Sequence, residues 1–322
     1  MTITEIANKI KGLKSALIFS HVRPDGDTIG SATALRNALI SLGINADIVC
    51  DGVVPEKFYF IDGADSYLTP DKITKEYDAH IAVDCSVSSM FGNAYSLFIK
   101  NKNTFNIDHH VSNSKYAKFN YVFDNSSNCE NIYELINELK VDITEEIANS
   151  LLLGIVTDTG NFAHSNTTAK TLTCAADLLT KDANLNYIIY KMFKEQSKPR
   201  AKLYAKVISK AAYYLEDRVG VLVINKSDLE ECGATENMTE GFIDFPMTVT
   251  GVEVAISLLE VADKRYKISL RSKGKVNVNE IASLYGGGGH ILASGAMLNG
   301  YKEDIIDKLV YNVSQRLEWT DF

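Results

Sequence analysis

Six side chains of metal-ligating type, His21, Asp25, Asp27, Asp84, His109 and Asp158, fall at the ends of expected strands. They come from four separated segments, HVRPDGD (21–27), VDCS (83–86), IDHH (107–110) and VTDTG (156–160). Imidazole and carboxylate ligands together suit Mn²⁺ or a related ion, whereas thiolates would favour zinc. The set is large enough for two adjacent cations, and paired cations serve above all the hydrolysis of phosphate esters or anhydrides. Taken singly, each residue has an ordinary reading. Asp27, just before TIGSATAL, would be a helix N-cap, Asp84 the end of a parallel strand, His109 a satisfied core histidine, and Asp158 a helix or turn cap. Those readings do not account for four such clusters in one chain.

The surrounding pattern places the clusters on one edge. Short apolar runs at 15–20, 45–51, 78–86 and 103–110 read as strands, and helical spacing covers 28–42, 128–139, 144–157 and 167–180. Strands alternating with helices imply a parallel sheet covered on both faces, with ligands bound beyond the carboxyl ends of its strands. His21, Asp84 and the Asp108–His109–His110 run lie at such ends. Pro24 and Gly26 let the first of these loops turn sharply. The stretch 186–202 is polar, basic and proline-containing, and reads as a linker between a domain at 1–185 and a smaller α/β domain at 203–322. In the latter, 220–226, 251–261 and 265–273 read as strands, and 277–285 as a helix running into Gly286–Gly289 and His290. Four glycines in a row expose backbone N–H groups without Cβ obstruction, an anion-binding arrangement. Arg271, at a strand end, is placed for a bidentate pair with phosphate, and His290 to donate to a phosphate or a base edge.

With 322 residues and 46% hydrophobic content, the chain has ample material for two cores. A net charge of −8 excludes a protein that coats long duplexes, whose affinity comes from neutralising phosphates. It does not exclude a small phosphorylated ligand, because bound metal would neutralise several of the acids. No apolar run is long enough to span a bilayer, and the N-terminus lacks the pattern of a signal peptide. Five dispersed cysteines without a CxxC pair read as reduced thiols of a cytoplasmic protein. His80 reads as structural, His164 as a loop residue near Asp158, Phe162 as core, and Ser165–Asn166–Thr167 as the cap of the helix that follows.

The order HxxxDxD, a strand ending in Asp84, Asp108–His109–His110, then GIVTDTGNF resembles the DHH phosphoesterase family. The segment GGGGHILASGA (286–296) resembles the GGGH motif of its DHH-associated domain. The resemblance covers nearly the whole chain and points to the branch of nano-RNases and 3′-phosphoadenosine-5′-phosphate (pAp) phosphatases. It implies His21 and Asp25 on one metal and Asp27 on the other. Asp84 would bridge both, and His109 and Asp158 would complete the ligand set of the second metal, with Asp158 open to being shared. His110 would face the substrate phosphate as donor or acid, oriented by Asp108, while Arg271, Gly287, Gly288, Gly289 and His290 would bind substrate. The implied ions are two Mn²⁺, with Co²⁺ or Mg²⁺ as alternatives. The implied substrates are short single-stranded RNA, linear dinucleotides such as pApA and pGpG, and pAp, without membrane or long duplex partners. A homodimer is the commonest closed assembly. Two other readings stay open: a soluble cyclic-di-AMP phosphodiesterase, and a non-catalytic nucleotide sensor, against which the unbroken ligand motifs speak.

Overall fold

A computed structural model describes residues 1–317. The chain forms two compact units, Met1–Glu195 and a second beginning at Gln196. The segment 186–202, expected as linker, is largely helical, and the units part within it.

The first unit runs α1 (Ile3–Ile10), β1 (Ser15–Phe19), α2 (Gly26–Ser41), β2 (Asn45–Val49), β3 (Ala79–Val83), α3 (Tyr95–Phe98), β4 (Thr104–Asp108) and β5 (Phe119–Val122). It continues through α4 (Asn128–Leu139), α5 (Glu145–Asp158), α6 (Ala169–Leu179) and α7 (Leu185–Ile189). All five strands are parallel, in the order β2-β1-β3-β4-β5. Helices α1, α2, α4 and α5 pack one face of this sheet, while α3 and the turns before it cover the other. Burial on both faces is why β1 and β3 are mostly apolar; β4, TFNID, alternates in sequence yet is buried throughout, its Asn106 included. The strand order reverses direction between β1 and β3, so their carboxyl ends border a crevice. β5 was not expected from the sequence; it is a four-residue edge strand with a mostly half-buried pattern.

Helix α2 has small residues nearly all round and is buried over most of its length, as a helix wedged between other elements must be. Its closest crossing is with α5. A Cβ at Gly30 would stand 2.3 Å from the Ser150 carbonyl oxygen, and one at Gly154 would stand 2.5 Å from Asp27 Oδ1. The absence of Cβ atoms there sets the helix spacing and brings Asp27 against α5.

The second unit runs α8 (Lys198–Ile208), β6 (Ala212–Tyr214), β7 (Val219–Ile224), α9 (Lys226–Cys232), α10 (Asp244–Met247), β8 (Val254–Ala262) and β9 (Arg265–Ser272). It ends with α11 (Val278–Ser283), β10 (Gly288–His290), β11 (Ala293–Asn299) and α12 (Lys302–Ser314). The sheet order is β10-β11-β9-β8-β7-β6, antiparallel except for β7 beside β8. α11 and α12 bury one face. α8, α9 and Phe242 cover the other face over β7 and β8. All five cysteines are free thiols. Among the described residues no helix is long and apolar enough to cross a membrane.

Gly30→Ala tests the α2–α5 crossing. The gain in helix propensity is about 1 kcal/mol, whereas overpacking against a backbone oxygen costs up to about 3 kcal/mol. A net loss of roughly 1–2 kcal/mol should appear as a lower urea midpoint with unchanged slope. An unchanged or raised midpoint would contradict the close crossing.

Candidate metal centre

The site is built where the strands stop. β1 ends at Phe19 and delivers His21; the chain then turns through Pro24 into α2. Asp25 is the N-cap of that helix, its Oδ1 accepting from the Thr28 N–H at 3.0 Å. The expected cap, Asp27, instead lies inside the first turn and points into the protein. Its two oxygens accept the N–H groups of Asn128 (2.5 Å) and Cys129 (2.9 Å). These are the first residues of α4, a helix whose own Ser127 makes no side-chain cap. Helix α4 is thus capped by a carboxylate from α2, and its positive N-terminal end favours that charge.

β3 delivers Asp84, which sits in the left-handed region at φ +55, a conformation that aspartate tolerates better than most residues. Its Oδ2 accepts from Thr28 Oγ1 at 2.5 Å and lies 3.9 Å from His21 Nε2. Its Oδ1 lies 3.5 Å from His109 Nε2. β4 delivers Asp108, His109 and His110. The His109 ring is oriented by Nδ1 donating to the Asn125 carbonyl at 3.1 Å. Asp108 is fully buried and accepts from Asn113 and from His110 Nδ1–H at 2.8 Å, which leaves His110 Nε2 free. Asp158 is the last residue of α5, not the end of a strand as expected. Its Oδ2 is 3.5 Å from His109 Nε2, and Asp27 Oδ2 is 3.7 Å from the same nitrogen.

Ligand-type atoms therefore converge in two triads, His21–Asp25–Asp84 and Asp27–His109–Asp158, with one Asp84 oxygen turned to each. His110 also reaches Asp84 Oδ1, at 3.7 Å, but its Nδ1 is engaged by Asp108. The electrostatics indicate a site short of positive charge. Burial, and then the charge of Asp84, push Asp27 up to about 7. Burial, and then Asp25, push Asp84 up to about 6. Burial, and then Asp27, push Asp158 up to about 8. Burial would lower His109, but contact with Asp84 and the charges of Asp27 and Asp84 outweigh it and drive the ring to about 10. His21 is lowered by burial, which favours the neutral ligand form. Asp84 Oδ1 is buried without a hydrogen-bond partner among the described residues. Carboxylates that must borrow protons, beside an orphaned oxygen, fit a centre completed by cations. The residues present can hold metal ions in both triads.

All of the triad residues except Asp27, together with His110, line a hollow of about 500 Å³. Arg23 lines it too, although the reading of HVRPDGD as a ligand motif passed over it. Its guanidinium is exposed and has no ion-pair partner among the described residues. The available signal was a cation standing inside a run of anionic ligands. Nearby, His164 and Asn166 approach the Asp158 carbonyl, Phe162 packs on the core, and Thr168 rather than 165–167 caps α6. His80 is buried, its Nδ1 on the Phe98 carbonyl.

In the second unit Arg271 lies on β9, and Gly288, Gly289 and His290 form β10. The glycine run is not a fully open nest. The N–H groups of Gly286 and Gly287 donate back to Ser283 and Ala282 at the end of α11. A Cβ at Gly287 would stand 2.2 Å from the Gly295 carbonyl oxygen, so the glycine permits close strand approach. Arg271 Nε is 3.9 Å from Asp244, beyond hydrogen-bond length, and the residue borders a hollow of about 650 Å³ together with Gly286–Gly288.

Comparison with known proteins places this geometry. The DHH family, N-terminal domain, matches residues 15–155, and the DHHA1 domain matches residues 229–318. The chain is 32% identical to the bifunctional oligoribonuclease and PAP phosphatase NrnA of Thermus thermophilus, over 93% of this chain and 89% of that one. It is 30% identical to the Mycoplasma genitalium protein of the same name, over 97% and 99% of the two chains. A crystal structure of an exopolyphosphatase-related protein from Bacteroides fragilis shares the fold, with a TM-score of 0.85 at 24% identity, covering 97% of this chain and 95% of that one. From the two ligand triads to the glycine-containing edge strand β10, the chain is a member of the DHH family with a C-terminal DHHA1 domain.

Proposed function

We propose that this protein is a Mn²⁺-dependent phosphoesterase that hydrolyses short oligoribonucleotides, including linear dinucleotides such as pApA and pGpG, and pAp, to mononucleotides. The observation that carries the reading is the pair of ligand triads, with Asp84 in one of them and its Oδ1 3.5 Å from His109 Nε2 of the other. Support for the substrate class comes from the relatives above, which are named as oligoribonucleases and PAP phosphatases and match nearly end to end.

His21, Asp25 and Asp84 would hold one ion, and Asp27, His109 and Asp158 the other, with Asp84 common to both; Co²⁺ or Mg²⁺ are alternative occupants. Bound ions would supply an activated water and neutralise charge building on the phosphoryl oxygens. The rest is the work of the chain itself. Asp108 holds the Nδ1–H of His110 and directs Nε2 at the hollow, where it gives a proton to the leaving oxygen. Arg23 holds a non-bridging phosphate oxygen at the rim. Thr28 and the α4 N-terminus orient Asp84 and Asp27 by donating to their carboxylates. In the second unit, Arg271, Gly287, Gly288, Gly289 and His290 are the proposed substrate-binding residues.

Product release with Mn²⁺ from pAp, pApA, pGpG, cyclic-di-AMP and a longer RNA tests the reading. Fast hydrolysis of pAp and the linear dinucleotides, with the cyclic ligand untouched, is expected. Preferred cleavage of the cyclic ligand would overturn it. Two variants test the roles. His110→Asn should lower kcat by about 10²–10⁴-fold while Mn²⁺ binding by calorimetry is retained; loss of metal binding instead would make His110 a ligand. Arg23→Ala should raise KM roughly tenfold with kcat little changed, as removal of a substrate contact does, and an unchanged KM would exclude it from the phosphate site.

A further inference from the structure

On β9 the side chains of Lys267, Ser269 and Arg271 share one face, because alternate residues of a strand do. Tyr266, Ile268 and Leu270 face the core beneath α11 and α12. The strand register extends that face sideways. Arg271 stands beside Ala293, Ser269 between Ser257 and Gly295, and Lys267 between Leu259 and Met297. The cover of α8 and α9 stops at β8, so these side chains border two adjoining hollows of about 350 and 650 Å³. Both hollows are lined by Lys267, Ser269 and Arg271.

Two groups here lack partners. Lys267 makes no ion pair among the described residues, whereas Lys206, Lys210 and Lys275 of the same unit are all paired. Ser257 is 7% exposed and lines the smaller hollow, yet its hydroxyl makes no hydrogen bond among the described residues. The hydroxyl is not among the fully buried unpartnered oxygens, so it is open to the hollow and available to a ligand there. Donors on alternate residues recur about every 6.8 Å, comparable with the step between successive phosphates of an extended single strand. Glu236 and Glu240 line the smaller hollow and would repel phosphate there. The larger hollow, toward β11, has no acidic residue in its lining.

We propose that Lys267, with Ser269, is a second phosphate position one step along β9 from Arg271, so that this unit holds RNA longer than a dinucleotide. The Ser257 hydroxyl at its edge accepts or donates to a ribose hydroxyl. The inference rests on the phosphoesterase reading above.

The test compares KM for 5′-phosphorylated RNAs of two to five nucleotides in the wild type, Lys267→Ala and Lys267→Arg, at several salt concentrations. In Lys267→Ala the ratio of trinucleotide to dinucleotide KM should rise roughly tenfold, and Lys267→Arg should restore it. The salt slope of log KM for the trinucleotide should fall by about 0.7, the value for one phosphate contact on a single strand. An unchanged ratio and slope, with wild-type dinucleotide hydrolysis intact, overturns the inference and leaves the functional reading standing. A wild type that hydrolyses no RNA of any length overturns both.

Discussion

Asp27, Asp84 and Asp108 lie almost wholly out of water at the carboxyl edge of a parallel sheet. An ionised carboxylate in such a place is tolerated only with compensating charge or several good hydrogen bonds. Each of the three is compensated differently. Asp108 takes hydrogen bonds from Asn113 and His110 and serves orientation. Asp27 takes two N–H groups from the start of α4. Asp84 takes one hydroxyl from Thr28, while its other oxygen is left without a partner among the described residues. The deficit is therefore concentrated at the atom that stands between the two ligand triads.

Much of the first unit follows from holding this arrangement. The reversal of strand order between β1 and β3 opens the crevice, and the left-handed turn at Asp84 aims its carboxylate into it. Gly30 and Gly154 let α2 approach α5 closely enough for Asp27 and Asp158 to meet around one histidine. Packing and chemistry are coupled at Gly154, where a methyl group would meet Asp27 as well as α2, whereas one at Gly30 would meet only the packing partners of α2. The second unit uses glycine in the same way for another end, allowing β10 to lie close against β11 beside Arg271.

Strands β1 and β3 were legible because each is a mostly apolar buried run ending abruptly in a polar residue, and β4 because Phe105 and Ile107 alternate with polar residues just before the Asp–His–His run. Asp158 was legible both as a ligand and, from the helical spacing over 144–157, as the end of a helix, although grouping it with the strand ends put it on the wrong kind of element. The cap of α2 went to Asp25 rather than Asp27 because Asp27 is drawn inward by α4, a contact about a hundred residues away in sequence that no local pattern reveals. β5 escaped because an edge strand needs neither length nor alternation. α12 escaped although Ile305, Ile306, Leu309 and Val313 keep helical spacing. The glycine run was legible as a backbone device, but its partners, the end of α11 and β11, belong to tertiary structure. Arg23 and Lys267 were passed over for the same reason: what distinguishes a functional cation from a solvated one is the lack of a partner, which only the fold shows.

Anomalous diffraction at the manganese edge, from crystals grown with Mn²⁺, tests the central claim most directly. Two peaks should appear on either side of Asp84, about 3.5–4 Å apart, one within the His21–Asp25 corner and one within the Asp27–His109–Asp158 corner. A single peak, or two that do not share Asp84, would contradict the account.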